Sequence, residues 1–169
     1  MKLPITLLSI ICLVIFTACQ TTPATQYEYA GISFTSPAGW KITRDDHEGI
    51  EHYVYVEKSG FNDSGLITIT WIDGEYNWER YMEITRETFE EKEIMKNLVF
   101  YNASDTVFNG YNALTSNYIF NVMNMPHRGK VLILGDEEKI ISIVMQEANE
   151  DIRKNKEGFV TFVESFSFK

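Results

Sequence analysis

Two neighbouring stretches in the last third of the chain constrain its fold more than any other feature. Residues 131–134 read Val-Leu-Ile-Leu, and residues 140–145 read Ile-Ile-Ser-Ile-Val-Met. A strand wetted on one face alternates apolar and polar side chains, so these runs predict strands that are buried on both faces. The two strands are predicted at residues 130–134 and 139–145, so only four mainly polar residues, 135–138, separate them, and so short a connection joins antiparallel strands. The sequence therefore predicts an antiparallel sheet that is covered on each face.

Two amphipathic segments are available as covers. Residues 75–97 predict a first helix, because apolar side chains recur there at steps of three and four; they are Trp78, Tyr81, Met82, Thr85 and Phe89. The pattern weakens after residue 91, so an end near Lys92 is the alternative to continuation as far as Lys96. A second helix is predicted to begin near Asn149, a favourable N-cap residue. Its shared apolar face consists of Ile152, Phe159, Val163 and Phe166. Gly158 inside this helix predicts close packing against another element, or a kink.

Further strands are predicted from alternating or β-branched residues. They lie at residues 27–37, where Gly31 could bend the strand, and at residues 40–42, 52–57, 66–72, 98–108 and 111–124. Asn109-Gly110 predicts a hairpin turn, because both residues accept a positive φ. Residues 43–51 are predicted to form a polar loop, and residues 125–127 a turn. The expected architecture is one α+β domain over residues 27–169, an α/β/α sandwich with a central, mainly antiparallel sheet flanked by two main helices.

The first nineteen residues have the pattern of an export signal. Lys2 precedes an almost wholly apolar run, residues 3–16, which is shorter than the roughly 20 apolar residues that span a bilayer. Phe16-Thr17-Ala18-Cys19 resembles the lipobox of bacterial lipoproteins. The resemblance implies a signal peptide of residues 1–18, removed on export, and a lipidated Cys19, with diacylglycerol and palmitate, as the new first residue. Residues 19–26, small and polar, are expected to form a flexible tether.

The same resemblance implies a location. Residue 20 is Gln rather than Asp, which implies the outer membrane of the bacterial envelope, with the domain facing the periplasm. The anchor at Cys19 is then the membrane contact. Cys12 leaves with the signal peptide, so the mature domain cannot form an internal disulfide or a cysteine-based metal site. The net charge of -9 argues against nucleic acid as a partner.

The densest polar cluster runs from Asp45 to His52 and reads Asp-Asp-His-Glu-Gly-Ile-Glu-His. Two imidazoles and several carboxylates could bind a metal. However, His47 and His52 are five residues apart rather than the four of the helical zinc motif, so a solvated acidic loop is the favoured interpretation. His127 is interpreted as an exposed turn residue. No nucleophile elbow or phosphate-binding loop is present in the sequence. We therefore expect neither enzymatic activity nor a cofactor.

Residues 71–78 concentrate aromatic and acidic side chains between a strand and a helix. Trp71, Tyr76 and Trp78 could anchor a partner. They could equally fix the helix onto its sheet, and this second interpretation is favoured. The three aromatic residues remain the candidate partner contacts.

Two segments, at the start and at the end of the predicted domain, carry a family resemblance. Residues 31–42 read Gly-Ile-Ser-Phe-Thr-Ser-Pro-Ala-Gly-Trp-Lys-Ile, and residues 159–166 read Phe-Val-Thr-Phe-Val-Glu-Ser-Phe. The first segment is similar to the opening of PsbP-like domains, and the second to their last helix. The family includes photosystem II extrinsic subunits, a nuclear-import factor that binds a small GTPase, and DcrB-like lipoproteins. The resemblance implies an α/β/α sandwich that binds proteins without catalysis, and it carries over no catalytic residue.

The expected function is a membrane-tethered envelope lipoprotein that acts as a non-catalytic protein-interaction or assembly module, with another envelope protein as its partner. Two alternatives remain open. One is a carrier of a small apolar ligand, and the other is a metal-dependent hydrolase that uses the cluster from Asp45 to His52.

Overall fold

The computed structural model describes residues 22–60 and 63–169. The predicted signal peptide, Cys19 and the first part of the predicted tether lie outside the described residues. In the described part of the chain, no helix is long and apolar enough to cross a membrane.

The described residues form eleven strands and two α-helices. The strands are β1 (Thr25–Tyr29), β2 (Ile32–Ser36), β3 (Trp40–Glu48), β4 (Glu51–Lys58), β5 (Leu66–Asp73), β6 (Lys96–Phe100), β7 (Ser104–Phe108), β8 (Tyr111–Val122), β9 (Met125–Gly135), β10 (Lys139–Ala148) and β11 (Ser167–Phe168). The helices are α1 (Trp78–Glu90) and α2 (Ile152–Ser165), and a 3₁₀ turn, Asn149–Asp151, precedes α2.

Eight strands form the main sheet in the order β3-β4-β5-β10-β9-β8-β6, with β7 also paired to β8. All of the strand pairs are antiparallel. A small second sheet has the order β1-β2-β11. The predicted α+β class with a mainly antiparallel sheet and two main helices is confirmed.

The main sheet carries a separate apolar core on each face, because side chains on a strand point alternately to its two sides. On one face, α2 and the small sheet cover the sheet, and Phe34, Trp71 and Phe162 are fully buried there. On the other face, α1 packs through Met82 and Phe89. We call these the α2 face and the α1 face. The cover on both faces that the two apolar runs predicted is confirmed.

Several predicted boundaries are wrong where positive-φ turns reverse the chain. Ala30 and Gly31, with φ of 50° and 80°, divide the predicted strand 27–37 into β1 and β2. The chain turns at Met123 and Asn124, with φ of 50° and 66°, and not at residues 125–127, so that His127 lies within β9. The bend at Gly31 that was predicted as an alternative is present. Positive φ in residues other than Gly is uncommon, and Ala30 and Met123 carry no local signal for it. β1 also begins two residues before the predicted domain boundary.

The predicted polar loop at residues 43–51 is wrong, because most of this segment is strand. β3 continues to Glu48, and the turn is at residues 49–50. β3 is an edge strand, and its residues 43–48 are all exposed, so this part has no buried face to produce alternation. The predicted strand 98–108 is likewise two strands, β6 and β7, which pair with different parts of β8.

Both helices begin later than predicted, and α1 ends close to the earlier of its two predicted ends. α1 begins after Asn77, whose side chain accepts a hydrogen bond of 2.8 Å from the backbone N–H of Arg80, and it ends at Glu90. Asn149 does not cap α2, because it lies in the 3₁₀ turn, and Asp151 takes the N-cap position. The predicted close packing at Gly158 is confirmed: an ideal Cβ there would lie 2.5 Å from Trp40 Nε1.

Candidate functional site

The structure brings together two regions that the sequence analysis treated separately. His47 and His52 face each other across the β3–β4 pair, with ring centroids 5.7 Å apart. His52 also pairs with Trp71 across β4 and β5, and the two rings stack at 5.2 Å. Tyr29 lies 5.9 Å from the His52 ring. The predicted acidic cluster and the start of the aromatic junction therefore meet at one end of the main sheet.

Burial separates the three candidate partner contacts. Trp71 is 0% exposed in the core of the α2 face, so it has no surface to offer a partner, and this candidate is corrected. Trp78 is half-buried against the core of the α1 face, as a residue that fixes α1 to the sheet would be. Tyr76 is 39% exposed. Partner contact through Tyr76 and Trp78 stays a prediction.

The two-residue period of the strands divides the predicted metal-binding cluster. Asp46 and Glu48 alternate with His47, so they point to the opposite face of β3. Asp45 is on the same face as His47, but it accepts a hydrogen bond of 3.1 Å from the Tyr27 hydroxyl. The described residues contain no group of three or more His, Cys, Asp or Glu placed to hold a metal. The hydrolase alternative gains no support from this geometry.

Buried tyrosines hold two carboxylates of the same hairpin. Tyr81 of α1 donates its hydroxyl proton to Glu51, at 3.2 Å. Burial, and then the charge of Glu51, raise the pKa of Tyr81 well above its usual range, so the hydroxyl remains a donor. Burial, and then the charge of Asp45, do the same for the pKa of Tyr27. These contacts fix the hairpin to its neighbours.

A larger cavity lies elsewhere, between α2 and the uncovered part of the main sheet. Its volume is about 680 Å³, and we call it the α2 groove. One wall is the side of α2 that carries Phe159, Val160 and Val163. Tyr101, which follows β6, lines the side of the groove opposite α2. The floor consists of the side chains of β8, β9 and β10 that point to the α2 face, and they are Asn117, Ile119, Arg128, Lys130, Met145 and Glu147.

An ion pair lies in the floor of the α2 groove. Arg128 donates from Nη2 and Nε to Glu147 Oε1, at 2.7 and 2.9 Å. Glu147 is only 5% exposed, and its Oε2 has no hydrogen-bond partner among the described residues. Lys130 is two residues from Arg128, on the same face of β9. It is exposed and has no ion pair among the described residues. The groove thus combines apolar walls with a charged floor.

Sequence reasoning missed the α2 groove because its parts come from separate elements. Arg128 lies between the predicted turn at residues 125–127 and the next predicted strand, and Glu147 lies beyond the predicted end of its strand. The available signal was alternation: residues 117 and 119, 128 and 130, and 145 and 147 each occupy one face of a strand. Only the strand register places these three pairs side by side.

A smaller cavity of about 320 Å³ lies on the α1 face, beside α1. Its lining is rich in hydroxyl groups, including those of Thr68 and Thr70. The Arg44 guanidinium lies 4.4 Å from the centre of the Tyr53 ring and covers part of the floor. This cavity is smaller and more polar than the α2 groove.

No protein-family model and no curated protein matches the sequence. Solved structures do match the fold. The cyanobacterial PsbP (CyanoP) of Synechocystis sp. PCC 6803 has a TM-score of 0.61 at 14% identity, over 90% of this chain and 96% of that one. LpqN of Mycobacterium tuberculosis, described as involved in cell envelope biogenesis, has a TM-score of 0.55 at 9% identity, over 95% and 96%. The Ran-binding protein Mog1p of Saccharomyces cerevisiae has a TM-score of 0.50 at 13% identity, over 88% and 96%. At these identities the likeness establishes a PsbP-like fold.

Proposed function

We propose that this chain, whose fold is PsbP-like, is a non-catalytic protein-interaction module held at the bacterial cell envelope by a lipid on Cys19. The observation that carries the proposal is the open α2 groove. Tyr101, Ile119 and Val160, which line it, are 52%, 42% and 43% exposed. Large apolar side chains gathered around a concave surface mark a site for a partner rather than ordinary surface.

The names of two of the similar structures support this proposal. Mog1p is named as a Ran-binding protein, and LpqN as a protein of cell envelope biogenesis. Likeness of fold alone is a weak argument for function, so these names support the class of function and supply no partner.

The tether is the second part of the proposal. The lipobox resemblance at residues 16–19 and the small polar residues that follow are its support. A single acyl chain holds a protein only marginally, so an anchor with several chains would be needed at Cys19. Attachment would concentrate the module at the membrane and favour weak partners there. Gln20 supports the outer membrane, with the domain in the periplasm.

Carriage of a small apolar ligand is a second candidate, favoured by the size of the groove. Its 680 Å³ lies within the range of roughly 300–1,000 Å³ for small-molecule sites. Such sites, however, bury about 70–90% of the ligand surface. The half-exposed walls of the α2 groove fit that requirement less well than they fit a macromolecular partner.

Photocrosslinking in intact cells tests the interaction. A photoreactive benzoylphenylalanine would replace Val160 at the groove or Tyr76 at the junction, with Lys41, exposed on the edge strand β3, as the control position. We expect a discrete protein adduct from Val160 or Tyr76 that is absent from Lys41. If neither position forms an adduct in the envelope, the interaction module is wrong.

The tether has its own test. Cys19→Ser should abolish incorporation of labelled palmitate and release the protein from the membrane fraction, or leave it unprocessed. A variant that is cleaved, unlabelled and still membrane-bound would contradict lipid anchoring at Cys19.

A further inference from the structure

We propose that the α2 groove binds an amphipathic helix of a partner protein, and that this helix carries an acidic residue within its apolar face. The inference rests on the proposed function and adds the chemistry of the partner. It follows from the shape of the groove, from its exposed apolar side chains and from its charge.

The shape leaves room for one helix. α2 covers the α2 face through Phe162, which is buried, whereas Val160 on its flank is 43% exposed. Beyond that flank, the sheet face over β9 and β8 is open as far as Tyr101. Helices pack at roughly 8–10 Å between axes, so a helix beside α2 would lie in the same layer. The part of α2 that lines the groove, residues 159–164, is about 9 Å long at 1.5 Å per residue, which fits a contact of about two turns.

The apolar side chains are placed along such a helix. Ile119 lies in the floor, and Val99, its cross-strand neighbour on β6, is 49% exposed and extends the apolar surface. Val160 and Tyr101 flank them. Apolar residues at positions i, i+3 or i+4, and i+7 of a partner helix would remove these side chains from water. The exposed apolar side chains therefore form an elongated strip, and a helix laid along the strip would cover all of them.

The charge selects the polar residue of the partner. Arg128 and Lys130 lie on one face of β9, in a chain whose net charge is -9. Arg128 is paired with Glu147, but Lys130 has no ion pair in residues 22–60 and 63–169. Glu164 lines the α2 wall and is exposed, so a partner carboxylate would avoid that wall and lie over β9. A partner helix with one acidic residue among apolar ones would pair with Lys130 and would also cover the apolar strip.

Two synthetic helical peptides of about 15 residues, stapled to hold the helix, provide the probe. Both have a Leu/Ala apolar face, and they differ only at its central position, Glu in one and Lys in the other. Fluorescence anisotropy would measure their binding to the full lipidated chain in nanodiscs, with empty nanodiscs as the blank. We expect the Glu peptide to bind the wild-type protein about tenfold more tightly than the Lys peptide, the ratio that about 1.4 kcal/mol gives.

Two exposed lysines supply matched variants. Lys130→Glu should abolish or reverse the preference for the Glu peptide, while Lys41→Glu, the same charge change on β3, should leave it unchanged. Ile119→Asp should weaken both peptides, because it places a charge in the apolar strip. Circular dichroism would show that each variant is folded.

Dodecanoate, titrated into the same protein, is the probe for a small apolar ligand. Three results would overturn the inference: neither peptide binds, whether or not dodecanoate does; both peptides bind equally; or the preference survives Lys130→Glu. If neither peptide binds but benzoylphenylalanine at Tyr76 still forms a crosslink, this inference is wrong and the proposed function stands. If neither peptide binds and no position forms a crosslink, this inference and the proposed function are both wrong.

Discussion

Gly158 lies where the indole of Trp40 meets α2. An added Cβ would be 2.5 Å from Trp40 Nε1 and 2.7 Å from Cε2, closer than real Cβ atoms approach other atoms. Trp40 is 2% exposed, and its ring also packs against Phe159 at 5.3 Å, so it has little freedom to move. The absence of a side chain at residue 158 therefore sets the distance between α2 and the start of β3.

Gly158→Ala should destabilise the protein in spite of the better helix propensity of Ala. The propensity gain is about 1 kcal/mol, and overpacking costs about 1–3 kcal/mol. We expect a lower urea midpoint with an unchanged m-value. Glu157→Ala, on the exposed side of the same turn, is the control and should change the midpoint little. A Gly158→Ala protein more stable than wild type would show that Trp40 can move aside.

Asp151 joins the loop before β5 to the start of α2. Its Oδ2 accepts hydrogen bonds from the backbone N–H and the hydroxyl of Ser64, both at 2.9 Å, and Lys154 lies 2.8 Å from Oδ1. The hydrogen bond from Lys154 and then those from Ser64 lower the pKa of Asp151 from 3.8 to about 2, against the effect of its burial. The folded state therefore favours the ionised carboxylate.

Acid should remove this contribution in a defined window. Because the pKa of Asp151 is lower in the folded state, the stabilisation is complete above pH 3.8 and is lost as the pH falls towards 2. Asp151→Asn should be less stable than wild type at neutral pH, and the difference should shrink between about pH 4 and 2. Urea midpoints measured across that range are the test, with Asp105→Asn on exposed β7 as the control. A gap between wild type and Asp151→Asn that does not change with pH would contradict the assignment.

Residue-level prediction from the sequence succeeded where the signal was local. Gly inside an amphipathic helix indicated the contact at residue 158. By contrast, Ser64 and Asp151 are 87 residues apart, and nothing at either position indicates the other. Trp71 was a candidate partner contact from its place at a junction, yet it is buried in the core of the α2 face, with its ring stacked on His52.

At the scale of elements, the β7–β8 hairpin supports the end of α2. Asn109, with φ of 46°, forms the turn with Gly110. Its Nδ2 donates to the backbone oxygen of Phe166 at 2.8 Å, just past the last turn of α2. Carbonyls at a helix end have no partner in the helix, so a side-chain donor stabilises them.

Two substitutions separate the two roles of Asn109. Asn109→Gly keeps the positive φ and removes the side-chain donor, so it should cost about 1 kcal/mol. Asn109→Ala removes the donor and also strains the turn, at about 1 kcal/mol more. Thermal unfolding should rank the proteins as wild type, then Gly, then Ala. Equal stability of wild type and the Gly variant would mean that the contact with α2 contributes nothing.

The elements that the sequence predicted well have one buried side or two. The amphipathic pattern located α1 and α2, and the apolar runs located β9 and β10. The elements it missed, the second half of β3 and the break between β6 and β7, lie at the edges of the sheet, where exposure removes the pattern. The hairpin at Asn109 was correct because its chemistry is local, whereas Met123 and Asn124 form a turn that their residue types do not demand.

For the whole molecule, the main sheet is shared by both cores. Phe162, on the α2 face, is 0% exposed, and Phe89, on the α1 face, is 7% exposed. Neighbouring residues of β9 and β10 contribute alternately to one core and the other. Loosening either layer therefore loosens strands on which the other layer depends.

Phe162→Ala and Phe89→Ala should each lower the stability by about 3–5 kcal/mol. In both variants the protein should still unfold in one transition, since the sheet couples the layers. Far-ultraviolet circular dichroism and tryptophan fluorescence would be followed together in urea. Val160→Ala, at an exposed position of α2, is the control and should have a small effect. Separate transitions by the two probes in either Phe variant would show that the layers unfold independently.

The α2 groove also belongs to this scale, and that is why sequence reasoning did not find it. Each of its strands is predictable, but the groove depends on how far α2 extends across the sheet and on the register of β8, β9 and β10. Arg128 and Glu147 become a pair only through that register. Patterns within one segment carry no information about it.

The two outer edges of the main sheet have a consequence for aggregation. On one side, a register shift between Ile42 and Arg44 interrupts β3. On the other side, the edge is divided between β6 and β7, of five residues each, with three residues between them. A long, straight free edge is a template for pairing with another chain, and short or bulged edges prevent it. Molecules of this protein crowded together should therefore resist edge-to-edge stacking into fibrils, even though residues 131–134 and 140–145 inside the sheet are almost wholly apolar.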